Sequence, residues 1–72
     1  MPNHPNRKLL GAFPSAEAVK AFRAAQNLTQ SDCAALVHVT LRSWQMYEAG
    51  DRRMPAGLWE LANIKTQLSS NP

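Results

Sequence analysis

Seventy-two residues with a formal net charge of +3 make one domain, close to the smallest size at which an apolar core folds without a staple. The single cysteine, Cys33, excludes an internal disulfide and a cysteine-rich zinc site, and suits a reducing compartment. The basic balance, with a pI of about 9.6, favours a polyanionic partner without naming one, and no apolar run approaches the ~20 residues that span a bilayer.

The chain opens with Pro2, Pro5, Gly11 and Pro14 around Asn3, His4 and Asn6, a composition that supports neither a helix nor a central strand. Residues 1–14 therefore read as a flexible arm carrying Arg7 and Lys8, ahead of a domain over 15–69. No long apolar segment follows Met1 to Asn6, so a signal peptide is not expected and a cytoplasmic location is. Ser15 can cap a first helix over Ala16 to Gln26, with Val19, Phe22 and then Ala25 or Gln26 on its inner face. Thr29, with Asp32 three residues later, comes close to a capping box and starts a second helix over about Gln30 to Val37, with Cys33, Ala34 and Val37 inward.

Thr40 caps a third helix over Leu41 to Ala49, and Gly50 suits its C-terminal stop. A polar loop, Asp51 to Arg53, leads to Pro55, which fits the first turn of a fourth helix. The apolar stripe of that helix is Leu58, Leu61, Ala62 and Leu68, with Trp59 and Ile64 beside it. No alternating β-branched stretch competes, so the expected class is all-α, a compact bundle of four to five helices.

The join between the second and third helices carries the functional signal. Two short helices separated by three or four residues can present the second one to the major groove of B-form DNA. On that helix Leu41, Arg42, Gln45 and Met46 share one face, opposite Trp44, Tyr47 and Glu48. Arginine can pair with guanine, glutamine with adenine, and leucine or methionine can meet a thymine methyl. Thr40 and Ser43 are short donors suited to phosphate oxygens, as are the first N–H groups near Gln30. Arg52 and Arg53, just past the helix, are further phosphate contacts, whereas Lys20 and Lys65 read as ordinary solvated charges.

From Leu28 to Pro55 the order Leu28-Thr29-Gln30, Ala34, Val39-Thr40, Trp44, Tyr47-Glu48-Ala49-Gly50 and Arg53-Met54-Pro55 resembles the helix-turn-helix domain of phage-repressor-type (Cro-like, XRE-type) transcriptional regulators. The resemblance extends over roughly positions 16 to 68 and implies a lambda-repressor-like DNA-binding domain. It implies that Gln30 contacts the sugar-phosphate backbone and braces the recognition helix, and that Thr40, Leu41, Arg42, Gln45 and Met46 reach bases or neighbouring phosphates. It also implies that Arg23 and Glu48 form a structural ion pair tying the first helix to the end of the third. Three positions depart from the pattern: His38 stands where the turn usually has glycine, Trp44 replaces a smaller aliphatic residue, and Cys33 a polar one. The fifth helix often used for dimerisation is lacking, which leaves Trp59, Ile64 and Leu68 as dimer candidates.

The function expected from these residues is a homodimeric transcriptional repressor, binding double-stranded DNA at an inverted-repeat operator near its own promoter. An antitoxin with a toxin partner, or a phage accessory regulator of an anti-defence operon, would share the fold. A helical protein-interaction module without nucleic acid, and binding to an RNA hairpin, are the other readings. His4 and His38 lack acidic or cysteine partners, so no metal is expected, and Cys33 reads as a small buried hydrophobe. No nucleophile elbow, phosphate loop or paired-carboxylate signature occurs, so neither an enzyme nor a cofactor is inferred.

Overall fold

In a computed structural model, residues 13–69 are described, the last two by their backbone alone. Four helices and no strand occur among them: α1 (Ala16–Gln26), α2 (Gln30–Leu36), α3 (Leu41–Ala49) and α4 (Ala56–Ser69). The sequence explains each start. The Ser15 hydroxyl accepts the Ala18 N–H at 3.0 Å, filling one of the four amide donors that a helix leaves orphaned. At α2 the capping box is complete, with the Asp32 N–H on the Thr29 hydroxyl and the Thr29 N–H on the Asp32 carboxylate, both at 3.0 Å. The Thr40 hydroxyl accepts the Ser43 N–H at 3.1 Å to open α3. Pro55 lies one residue before α4 rather than inside its first turn, and its carbonyl accepts the Leu58 and Trp59 N–H groups.

The first three helices end in the same way. Asn27, His38 and Gly50 adopt φ values of 58°, 62° and 84°. In each case the N–H of that residue bonds three residues back, and the next N–H bonds five residues back (Leu28 to Arg23, Val39 to Ala34, Asp51 to Met46). This double closure satisfies the terminal carbonyls and turns the chain sharply. Only one of the three positions is glycine. Histidine and asparagine are among the residues that tolerate a left-handed backbone best, which is why His38 can stand in the α2–α3 turn.

The core is built from Val19 and Phe22 of α1, Cys33 and Ala34 of α2, Val37, Trp44 and Tyr47 of α3, Met54, and Ala62 of α4. Trp44 is wholly buried, edge-on to Tyr47, and Phe22 meets Trp59 edge-on at 5.4 Å. Two expectations need correction. Ala25 and Gln26 are exposed, because the Asn27 turn redirects the chain and Leu28 takes the inward place they were expected to fill. α2 ends at Leu36, with Val37 as its cap. No helix among the described residues is long and apolar enough to cross a membrane. Of the expected arm over 1–14, residues 1–12 lie outside the described residues, as does the Leu68 side chain, whereas the Phe13 ring lies beneath Arg53.

The left-handed stop at Asn27 yields a stability test. Asn27→Ala should lose about 1–2 kcal/mol, the cost of placing a Cβ-bearing residue without a helpful polar group in that conformation, whereas Asn27→Gly should lose nothing. Urea midpoints of the two variants, read by helical circular dichroism, check the contrast.

Candidate functional site

α3 divides cleanly into a buried and an exposed side. Trp44, Tyr47 and Glu48 are buried, Leu41, Arg42 and Gln45 are exposed, and Met46 is half-buried between them. Arg42, Gln45, Met46, Ala49 and Asp51 line a shallow open groove along the outer side. Three of the four residues expected to read bases thus line one groove, while Leu41, 42% exposed, is not among its lining residues.

The buried side is held by one carboxylate. Glu48, only 6% exposed, accepts from Arg23 Nε and Trp44 Nε1 on one oxygen, and from Arg23 Nη2 and Gln30 Nε2 on the other. The Trp44 bond is 2.6 Å and the Gln30 bond 3.0 Å. Burial by itself disfavours the charged form of Glu48, but the hydrogen bonds from Arg23, Gln30 and Trp44 outweigh it and hold the carboxyl below its ordinary value of 4.5. Arg23, tied reciprocally, has its pKa raised chiefly by that hydrogen bond, and its Nη1 also donates to the Leu28 carbonyl at 3.3 Å. Arg23 and Glu48 thus lie together, and Gln30 and Trp44 join them. Trp44 and Glu48 were expected on one inner face, one turn apart, but their bond was not read, and the Gln30 bond spans eighteen residues and had no local signal.

Gln30 connects this buried group to the outer side. Its amide nitrogen is committed to Glu48, so its carbonyl oxygen is left to accept from Gln45 Nε2 at 3.3 Å. Ser43 lies at the start of α3, where its hydroxyl accepts from Thr40 at 3.0 Å and from Arg52 Nη1 at 3.2 Å. Arg52 is thereby drawn back along α3. Arg53 is held apart from it, its guanidinium 4.5 Å above the Phe13 ring.

Lys65 corrects the sequence reading. It is not a free solvated charge: its ammonium donates to the Leu36 carbonyl at 2.8 Å and lies 3.1 Å from His38 Nε2. The reason is tertiary, since α4 brings a position far along the chain to the end of α2. Among the dimer candidates, Ile64 is 46% exposed, Trp59 is half-buried against Phe22, and the Leu68 side chain is not described. Cys33 is fully buried, and desolvation pushes its thiol up to about 11, which leaves it protonated and unreactive at neutral pH. No group of three or more histidine, cysteine or carboxylate side chains gathers among the described residues as a metal would require. No protein-family model matches the chain, and no curated protein matches it.

The depressed pKa of Glu48 fixes the sign of an acid effect. Its contribution is fully present above the ordinary carboxylate value and is lost as pH falls through the lower folded-state value. Glu48→Gln should cost about 1–3 kcal/mol at neutral pH through the loss of charge-assisted hydrogen bonds. It should also lose less stability than the native chain between about pH 7 and about pH 3. Urea midpoints across that range test this, and parallel acid limbs would show that Glu48 is not the titrating group.

Proposed function

We propose that this chain is a sequence-specific, double-stranded-DNA-binding transcriptional regulator of the helix-turn-helix type, with α3 as its recognition helix. One observation carries the reading: a nine-residue helix exposes Leu41, Arg42 and Gln45 along one side, with Met46 at its edge, while the opposite side is locked by Trp44, Tyr47 and Glu48. Those outward side chains are the types that read base edges in the major groove, and a locked backing lets them do so without a large ordering cost. Thr40 and Ser43 at the start of α3, the first backbone N–H groups of α2 at Gln30, and Arg52 would meet phosphates beside it. Arg53 would reach phosphate only by leaving or carrying with it the Phe13 ring.

A domain this small covers few base pairs, so two copies on an inverted repeat would supply the specificity of an operator near its own promoter. Exposed Ile64 on α4 is the residue best placed for a contact between copies. A cytoplasmic homodimeric repressor is the resulting picture. Selection of bound sites from random duplex DNA tests it directly. A palindromic consensus is the expected outcome, and no enrichment over input, or preference for a hairpin RNA, would refute it.

Within that reading the arginines should behave differently. Arg42→Ala should weaken selected DNA by roughly 5- to 150-fold, the worth of one bidentate base contact, and unselected DNA far less. Arg52→Ala should weaken both alike and reduce the slope of log affinity against log salt by about one. Fluorescence anisotropy at several salt concentrations separates the two.

A further inference from the structure

The α2–α3 turn is held from outside by a contact that α3 itself does not explain. Lys65, half-buried on α4, reaches across to the end of α2. Its ammonium donates to the Leu36 carbonyl, one of the orphan acceptors at a helix C-terminus, where a cation is favoured. The same nitrogen lies 3.1 Å from Nε2 of His38, the exposed residue that makes the left-handed bend. An ammonium can only donate, so Nε2 must accept, and the ring that fits this contact is neutral with its proton on Nδ1. Protonation would turn Nε2 into a donor and set two cations against each other.

We propose that Lys65 and His38 form a proton-sensitive brace on the turn that launches α3, closed when His38 is neutral and released when it takes a proton. Lys65 is a positioning residue here, acting on α3 only through the turn. Among the described residues it is the charged group that faces the ring. From α2, Asp32 is bound to Thr29, and from α3, Glu48 is bound to Arg23, Gln30 and Trp44. Glu17, Asp51 and Glu60 form no ion pair with the ring. Among the described residues, then, no carboxylate is paired with the ring. Histidine as a side-chain type gains its charge over the acidic side of neutrality, which is why the brace is tested at two pH values. The inference stands apart from any nucleic-acid reading, because its test uses the free protein.

Thermal unfolding of the full chain at about pH 8 and about pH 5 provides that test. Lys65→Met should lower Tm by about 3–6 °C at the higher pH, and by clearly less at the lower one. In a His38→Asn background the left-handed bend and an acceptor are kept but position 38 carries no ionisable group, so the Lys65→Met shift should be the same at both pH values. Lys65→Arg, which keeps a cationic donor, should restore most of the loss at the higher pH. A Lys65→Met shift equal at both pH values in the native background, or a pH dependence that survives His38→Asn, overturns the proposal. Should Lys65→Met fail to fold, the comparison of His38→Asn with the native chain decides alone. The Tm difference in favour of Asn must grow on acidification, and a constant difference overturns the brace.

Discussion

Everything on the outer side of α3 depends on the saturation of one buried carboxylate. Glu48 has two oxygens, and each accepts two hydrogen bonds, from α1 through Arg23, from α2 through Gln30 and from within α3 through Trp44. A buried charge left with a free lone pair would cost more than the pairing returns. Full occupancy makes the group tolerable and at the same time fixes three helices relative to one another. Because the Gln30 nitrogen is spent on Glu48, its carbonyl points to Gln45, and an exposed side chain is oriented by a buried one.

The second constraint is chain reversal in very little sequence. With three-residue links between α1 and α2, and four between α2 and α3, each helix must end abruptly. The left-handed double-bonded stop does this three times. Glycine makes it without strain at Gly50, whereas Asn27 and His38 accept some strain in return for a polar side chain at the bend. At His38 that side chain is used, because Lys65 lies against it. A glycine would make the same bend and leave the end of α2 with a single external contact instead of two.

A small core also dictates the unusual use of tryptophan. Trp44 is wholly enclosed although it carries a polar N–H, and Glu48 one turn later accepts that proton. Its bulk occupies the space where smaller side chains would leave a void in so short a chain. Met54, in an otherwise polar loop after α3, is equally buried and fills the remaining gap as a flexible side chain can.

Local chemistry made the helix boundaries legible before any packing was known. Ser15, Thr29 and Thr40 announce the starts because a hydroxyl or carboxylate must satisfy orphan amides nearby in sequence, and Gly50 announces a stop for the same kind of reason. The two sides of α3 were legible too, since 3.6-residue periodicity separates Trp44, Tyr47 and Glu48 from Leu41, Arg42 and Gln45. The inward turn of Leu28, the burial of Met54, the Gln30–Glu48–Gln45 relay and the grip of Lys65 on Leu36 and His38 were not legible. Each joins residues through space or places an apolar side chain outside any period, so only the packing of four helices against one another decided them.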